Sequence, residues 1–449
     1  MTSRHASQTA GKQDRLLIIG NGMAGHRLLE KLLEQPGRPA RITVIGDERV
    51  PAYNRILLSP LLAGEMEREA LTLRDAQWYA EQGIELILGE RVSHIDRQAR
   101  RVTTSGGREL DYRRLVLATG SRPMMPEVPG IALAGVHGFR DLSDAASLAQ
   151  TSQQGHRAVV IGGGLLGLEA AEGLRKRGMV VSVVQRADRL MNRQLDATAA
   201  ELLERELSAR GLEVITAGRL ASLEDNGQGQ VAGITLEDGR FLPADCVVVA
   251  AGIVPNAELG RQAGLACQRA INVDSTLTTS DPAIHALGEC CEHLGQTYGL
   301  VEPIWQQAEV LAAHLSQELG QERGASVEGY VERPCATKLK ISGVSLYSFG
   351  PIEADAEHDV LTYHDPEHGD YRRLLLRAGR LEGAVLYGDT SMGPWYFQQA
   401  LAERDLSACR QALLFGAGDA TSLLESHLES QRLESQLIAT DTPLQEEAA

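Results

Sequence analysis

Short unbroken apolar runs punctuate the first part of the chain: LLII at 16–19, ITVI at 42–45, LVLA at 115–118, AVVI at 158–161, VVSVV at 180–184 and CVVV at 246–249. Runs of this length without polar alternation suit strands covered on both faces, as in parallel sheets. Between them apolar residues recur at helical spacing, as in Leu28, Leu29 and Leu32, so the pattern predicts strand–helix–strand units. From about residue 325 the pattern changes to alternation in ATKLKISGVSLYSFG, HDVLTYHD, YRRLLLRAGR and LEGAVLYGDT. This predicts a small antiparallel domain followed by a helix around 393–401. The leucines of the tail have helical spacing before the chain turns polar, which predicts a short helix and a frayed end.

Two of the apolar runs open into glycine loops. LLIIGNGMAG places Gly20, Gly22 and Gly25 in a G-x-G-x-x-G turn, and AVVIGGGLLG places Gly162, Gly164 and Gly167 in a second. The first glycine of such a turn permits the sharp bend, the middle one lets backbone approach a pyrophosphate, and the third lets the helix pack on its strand. Unpaired N–H groups at the helix start then receive the anion. Each loop is followed by a further strand, a set of short alternating strands and a closing apolar strand, LVLATG or VVVAAG. Gly20 to Gly120 spans 100 residues and Gly162 to Gly252 spans 90, so one design is written twice in tandem. Asp47 and Glu48 stand at the end of the first unit's second strand, where an acid binds ribose hydroxyls; Gln185 and Arg186 stand at the corresponding place in the second unit.

Composition removes several alternatives. A formal charge of −16 argues against a nucleic-acid or anionic-membrane partner. No stretch reaches the roughly 18 apolar residues of a membrane span, and MTSRHASQTAGKQDR lacks the apolar core of a signal peptide, so a cytoplasmic protein is expected. The six cysteines, at 246, 267, 290, 291, 335 and 409, form no C-x-x-C pair, and no metal site is expected. Cys246 reads as a core residue, and Cys290 and Cys291 read as buried structural thiols.

GNGMAG, YNRILLS, LATGSRP, GGGLLGLEAA, LMNRQLD, AAGIVPN and TSDPAIHALGE occur in the order found in the two-dinucleotide flavoprotein reductases, the group that contains rubredoxin and ferredoxin reductases, and the chain resembles that family over about residues 14–417. YNRILLSPLLAGE, YGLVEPIWQQAEVLA and ATKLKISGVSLYSFG resemble most closely the flavin-binding part of assimilatory nitrite reductase and the electron-transfer subunit of assimilatory nitrate reductase. The resemblance implies an α/β fold of two tandem Rossmann-like dinucleotide-binding domains, glutathione-reductase-like, plus a small C-terminal α+β domain. The expected bounds are 14–122 and 255–324 for a discontinuous FAD domain, 123–254 for an NAD(P)H domain, 325–418 for a C-terminal interface domain and 419–449 for a polar tail.

The same resemblance implies the site residues. Gly20, Gly22, Met23, Ala24, Gly25, Asp47, Glu48, Arg55, Val92, Ala118, Thr119, Gly120, Gly288, Glu289 and Ile304 are expected to hold FAD. Gly162, Gly164, Leu165, Leu166, Gly167, Glu169, Gln185, Arg186 and Gly252 are expected to serve the nicotinamide cofactor. Glu169 is expected where the nicotinamide carboxamide meets the flavin, a charge at a helix start being the other reading. Trp305 reads either as a core aromatic anchoring its helix or as a neighbour of the flavin ring.

Departures from the family pattern narrow the chemistry. Disulfide reductases of this fold carry a C-x-x-x-x-C pair soon after the first ribose acid, whereas ERVPAYNRILLSP has no cysteine, which excludes dithiol chemistry there. Many ferredoxin reductases place a lysine after the serine of this segment; here Pro60 follows Ser59, so Arg55 becomes the candidate positive charge, with a structural salt bridge as its other reading. The sequence holds no cysteine-rich iron–sulfur segment of the kind found in long nitrite reductases. The expected function is an FAD-dependent NAD(P)H reductase that passes electrons to a protein acceptor: the catalytic component of a nitrate or nitrite reductase, or a ferredoxin or rubredoxin in another pathway. A dinucleotide-binding redox sensor without turnover is allowed by the same glycines, and homo- or hetero-oligomeric assembly is left open.

Overall fold

The computed structural model of the chain describes residues 15–319, 328–341, 343–426 and 429. The N-terminal stretch read above for a signal peptide lies, except for Arg15, outside the described residues, as does most of the tail. Packing divides the chain into two compact units. One holds the described residues up to Gly162 with Glu169–Val183 and Leu220–Arg333; the other holds Gly163–Leu168, Val184–Arg219 and the residues from Pro334 onward.

The first unit opens with β1 (Arg15–Ile19), α1 (Met23–Leu33), β2 (Arg41–Gly46), α2 (Leu58–Leu62), β3 (Ile84–Leu88), the ribbon β4 (Val92–Asp96), β5 (Arg101–Thr104) and β6 (Glu109–Asp111), and β7 (Arg114–Leu117). Leu16, Leu17 and Ile18 are wholly buried, as the unbroken run predicts for a strand covered on both faces. β1 lies between β2 and β7, parallel to both, with Ile19 opposite Ile45 and Leu117. The carboxyl ends of these strands therefore stand side by side, and the loop after Ile19 emerges at the edge where open parallel sheets bind ligands. α1 turns Leu28, Leu29 and Leu32 inward, each worth about 1.5–3 kcal/mol on burial.

The chain then continues through β8 (Ser121–Pro123), β9 (Val136–His137), α3 (Leu142–Thr151), β10 (Arg157–Ile161), α4 (Leu165–Lys176), β11 (Val180–Val184), α5 (Ala197–Ala209), β12 (Glu213–Ile215), β13 (Leu220–Asp225), β14 (Val231–Leu236), β15 (Phe241–Pro243), β16 (Cys246–Val249) and β17 (Ile253–Pro255). β10 pairs in parallel with β16, Ile161 opposite Val249, repeating the relation of Ile19 to Leu117. The three-stranded ribbon β13–β14–β15 repeats β4–β5–β6. β8 and β17 pair antiparallel, Ser121 opposite Pro255, so the strands leaving and re-entering the first half are tied where the chain crosses.

After β17 come β18 (Ile271–Val273), β19 (Ile284–Ala286), β20 (Cys291–His293), β21 (Gln296–Thr297) and α6 (Val301–Leu319). β19 joins the first sheet beside β7, giving the order β19–β7–β1–β2–β3, and α6 packs on α1. The first sheet is thus completed by residues more than 150 positions later. Trp305 packs against this core with the Arg27 guanidinium over its ring at 5.5 Å, the helix-anchoring arrangement.

In the second unit β22 (Thr337–Ile341), β23 (Val344–Phe349), β24 (Asp359–Asp365), β25 (Asp370–Arg377) and β26 (Arg380–Tyr387) form one antiparallel sheet in the order β22–β23–β26–β25–β24. α7 (Gly393–Leu401) packs on β26 and falls at the residues the pattern predicts. Asp196, fully buried, caps α5 through the Ala199 N–H at 3.0 Å and accepts from Tyr371 Oη at 2.5 Å and Arg373 Nη1 at 2.9 Å, which ties α5 to β25. No helix among the described residues is long and apolar enough to cross a membrane.

Candidate dinucleotide-binding site

The three glycines of the first loop differ in what surrounds them. Gly20 has φ +113, and a Cβ there would overlap the Ala118 carbonyl oxygen. Its N–H donates to Ile45 O at 2.8 Å while the Ala118 N–H donates to Ile19 O at 2.8 Å, so the bend is pinned between β2 and β7. A Cβ on Gly25 would overlap the Gly20 carbonyl oxygen. Both glycines are therefore required by the chain's own backbone. Gly22 is different. It is the N-cap of α1, with no side-chain cap, and a Cβ on it would meet nothing within 4 Å. Nothing in the protein needs its smallness; the space above it and the helix-start N–H groups of Met23, Ala24 and Gly25 fit an anionic group brought from outside.

The second loop repeats the contrast. Gly162 has φ +120 and a Cβ there would overlap the Ala250 carbonyl oxygen. A Cβ on Gly164 would meet nothing within 4 Å, and Gly167 is buried. Leu165 and Leu166 are half-buried, and Gly252 has φ +126 with its carbonyl accepting the Met124 N–H at 2.9 Å.

Around the first loop, the structure brings together residues far apart in sequence. Gly288, at φ +83, faces Ala24 and Ile304: a Cβ on it would lie 3.1 Å from Ala24 Cβ and 3.9 Å from Ile304 Cγ2. Its N–H donates to Gln307 Oε1 at 2.8 Å. Glu289 accepts from Ser121 Oγ at 2.9 Å and is paired with Arg140. Arg55 pairs with Glu48, donates through Nη1 to the Arg140 carbonyl at 2.9 Å, and stacks over Tyr53 at 5.0 Å. Glu48 also accepts from Tyr53 Oη at 2.8 Å. The result is two acid–arginine pairs, Glu48 with Arg55 and Glu289 with Arg140, joined where Arg55 donates to the Arg140 carbonyl. Arg55 is therefore engaged in the salt bridge that its other reading describes. Asp47 points elsewhere: its exposed carboxylate accepts Arg91 Nε at 2.9 Å and Nη2 at 2.6 Å. Thr119 and Asn256 exchange two 2.8 Å bonds below Gly120, and Val92 is buried in the apolar core.

No sequence motif marks Arg140 as a site residue. The signal that locates it is the helix start after it: Asp141 and Asp144 form a reciprocal capping box at α3, and Asp144 Oδ2 also accepts the Arg140 N–H at 2.7 Å. The cap fixes the backbone that aims the guanidinium.

Glu169, on α4, accepts from Ser59 Oγ on α2 at 2.8 Å. Burial raises its pKa above the ordinary carboxylate range, and the Ser59 hydroxyl opposes that rise. Ser59 occupies the segment where a redox cysteine pair is absent. Cys290 and Cys291 are fully buried, and their thiols donate to carbonyl oxygens of Leu117, Leu287 and Gly288 at 3.3 Å. Burial pushes both pKa values up, so neither is held as a thiolate. In the second unit Gln185 is buried, its Oε1 accepting the Gly163 N–H at 3.0 Å and its Nε2 facing Arg189 O and Asn192 Oδ1 at 3.3 Å, while Arg186 is exposed.

Residues 14–310 match the family model described as pyridine nucleotide-disulphide oxidoreductase, and residues 335–404 match the rubredoxin NAD+ reductase C-terminal domain. The chain is 41% identical over 393 residues to nitrite reductase [NAD(P)H] of Bacillus subtilis (strain 168), covering 88% of this chain and 48% of that protein. It is 39% identical over 403 residues to the assimilatory nitrate reductase electron transfer subunit of the same organism, covering 90% of this chain and 51% of that protein. The chain thus spans about half the length of these curated relatives. Among solved structures, the covalent putidaredoxin reductase–putidaredoxin complex superposes with a TM-score of 0.77 at 28% identity, over 88% of this chain and 94% of that one.

The contrast between glycines yields a direct stability test. Gly20→Ala is expected to cost at least about 2 kcal/mol, from the positive φ and the overlap with Ala118, whereas Gly22→Ala leaves the urea midpoint of the apoprotein within experimental error. Equal losses in the two variants would show that Gly22 also serves the protein's own packing.

Proposed function

Because the chain belongs to the pyridine nucleotide-disulphide oxidoreductase family, we propose that it is an FAD-dependent NAD(P)H oxidoreductase that passes electrons to a partner redox protein, in nitrate or nitrite assimilation. The observation that carries this reading is the doubled loop whose middle glycine, Gly22 or Gly164, is small for no reason internal to the protein. The domain bounds given by the sequence are retained in this proposal, with FAD on the first loop and NAD(P)H on the second.

Bound FAD supplies the hydride acceptor and the capacity to release electrons singly; the protein supplies proximity, orientation and electrostatics. Met23, Ala24 and Gly25 offer backbone N–H groups to the pyrophosphate, and of the two acids at the ribose end Glu48 faces inward while Asp47 has its carboxylate turned outward to Arg91. Arg140 and Arg55 neutralise Glu289 and Glu48, so that the pocket's carboxylates do not repel the phosphates. Glu169 is the acceptor for the nicotinamide carboxamide, held in place by Ser59. With no cysteine in ERVPAYNRILLSP, this segment has no thiol to relay electrons, and they leave to a partner instead. The acceptor in this reading is a nitrate or nitrite reductase catalytic component. A ferredoxin or rubredoxin acceptor is the second reading, favoured by the match of residues 335–404 to a rubredoxin reductase domain.

Gly22→Val is expected to fold but to retain less than about one tenth of the wild-type flavin content, because the isopropyl group fills the space above the loop. Flavin absorbance per protein measures it, and full FAD occupancy would remove the first loop from the cofactor site. In wild type, stopped-flow mixing with NADH or NADPH bleaches the flavin band; an unbleached flavin leaves only a binding protein.

The second prediction concerns the choice of nicotinamide. Gln185 carries no charge to repel a 2′-phosphate, so both cofactors are used. Gln185→Glu keeps the acceptor for the Gly163 N–H but sets a carboxylate beside Arg189 O and Asn192 Oδ1, so it lowers stability and moves the NADH/NADPH ratio of kcat/KM on the order of tenfold toward NADH. An unchanged ratio would place Gln185 away from the ribose.

A further inference from the structure

At the far end of α6 from Ile304, three side chains converge that the redox chemistry does not use. His285 lies on β19, and His314 and Glu318 lie one turn apart on α6. The six ring and carboxylate atoms do not form a closed hydrogen-bond set. His285 Nε2 is 3.6 Å from Glu318 Oε2, and His314 Nε2 is 3.6 Å from Glu318 Oε1, both beyond hydrogen-bond length. His285 is fully buried, and its Nε2 has no hydrogen-bond partner.

Proton accounting assigns the other ring nitrogen, Nδ1. Thr276 Oγ1 donates to Asp274 Oδ1 at 2.7 Å, which uses its only proton. The 2.8 Å bond between Thr276 and Thr278 must then be donated by Thr278. Thr278 Oγ1 is left as the acceptor of its 3.2 Å bond with His285, so His285 carries its proton on Nδ1. Its Nε2 is fully buried, without a hydrogen-bond partner, and aimed at a carboxylate oxygen 3.6 Å away. A buried imidazole nitrogen facing a carboxylate across 3.6 Å calls for a positive charge between them, either a second proton on the ring or a metal ion. Arg114 supplies one from the side, Nε to Glu318 Oε2 at 2.7 Å, and leaves Oε1 open toward His314.

We propose that His285, His314 and Glu318 form a structural site for a divalent transition metal of the zinc class, with water completing the coordination. The ligand atoms of all three residues lie within 4.8 Å of one another. Ligands about 2.0–2.1 Å from a tetrahedral zinc stand about 3.3 Å apart, so each 3.6 Å nitrogen-to-oxygen separation is within a few tenths of an ångström of that spacing, and small rotamer shifts bring the three groups together. Two imidazoles and one carboxylate oxygen select zinc, cobalt or nickel over magnesium or calcium. The Thr278 bond to Nδ1 is the outer-shell support that fixes a ligating histidine's tautomer and ring orientation. His314 and Glu318 have side chains 21% and 25% exposed, which gives an ion its way in. The metal would clamp the last turns of α6 to β19. The site is independent of the reading given under Proposed function.

Flavin-loaded full-length protein, stripped with chelator and dialysed, is titrated with ZnCl2 and followed by calorimetry and by thermal unfolding. One zinc per chain is expected at this site, with a rise in Tm. The partly exposed variant His314→Ala should bind at least tenfold more weakly and lose the rise in Tm, while keeping its flavin content. CoCl2 should give visible d–d bands in wild type that are absent in His314→Ala. Binding and Tm shifts identical in wild type and His314→Ala, or no binding to either, would overturn the proposal and leave His285 and Glu318 as an ordinary charged pair.

Discussion

The fold rests on two places where backbone touches backbone. At Gly20 against Ala118, and again at Gly162 against Ala250, the first glycine of a loop lies so close to the carbonyl after the closing strand that no side chain fits, and its φ is positive. Any other residue would push the first and last strands of the unit apart. Because the strands end together, Ile19 beside Leu117 and Ile161 beside Val249, this close approach decides where each loop emerges and hence where its helix begins. The cofactor sites follow from that geometry: the middle glycines are left over open space only because the outer ones have brought the helix start to the sheet edge.

A second constraint is electrostatic. In the proposed function a chain with a net charge of −16 receives two dinucleotides, each of which brings negative phosphates. Pairing Glu48 with Arg55 and Glu289 with Arg140 keeps the first site from adding uncompensated acid to that field, and the shared Arg140 carbonyl makes the two pairs one network. The network also couples segments that are distant in sequence: the end of β2, the stretch before α2, the start of α3 and the turn before β20. Loss of any one member leaves its half-buried partner without a counter-charge.

Much of this architecture is legible in the sequence, for local reasons. Unbroken runs such as LLII and CVVV announce buried parallel strands, and glycine spacing announces the loops, because the steric demand is met by the residue itself. The helix at 393–401 is legible from its position after the alternating strands. Pairings are not. Ser59 meets Glu169, and Arg140 meets Glu289, only through the order in which strands are laid into sheets, and no local pattern encodes partners more than 100 residues apart. Asp47 and Glu48 are adjacent and chemically alike, yet Arg91 takes one outward and Tyr53 and Arg55 hold the other inward, a difference that strand geometry decides. His285, His314 and Glu318 escape a search for metal-binding spacing because their nearest elements are a strand and a helix joined through another ribbon.

The central claim is that electrons pass from NAD(P)H to flavin and on to a partner with no thiol in between. Anaerobic titration of the flavin-loaded protein with NADH, followed at the flavin band, tests it most directly. With Ser59 in the segment where a cysteine pair would stand, and Cys290 and Cys291 buried and protonated, one equivalent of NADH per FAD should bleach the band completely, and further NADH should accumulate unoxidised. Consumption of a second equivalent, with thiols newly exposed to a labelling reagent, would contradict the account.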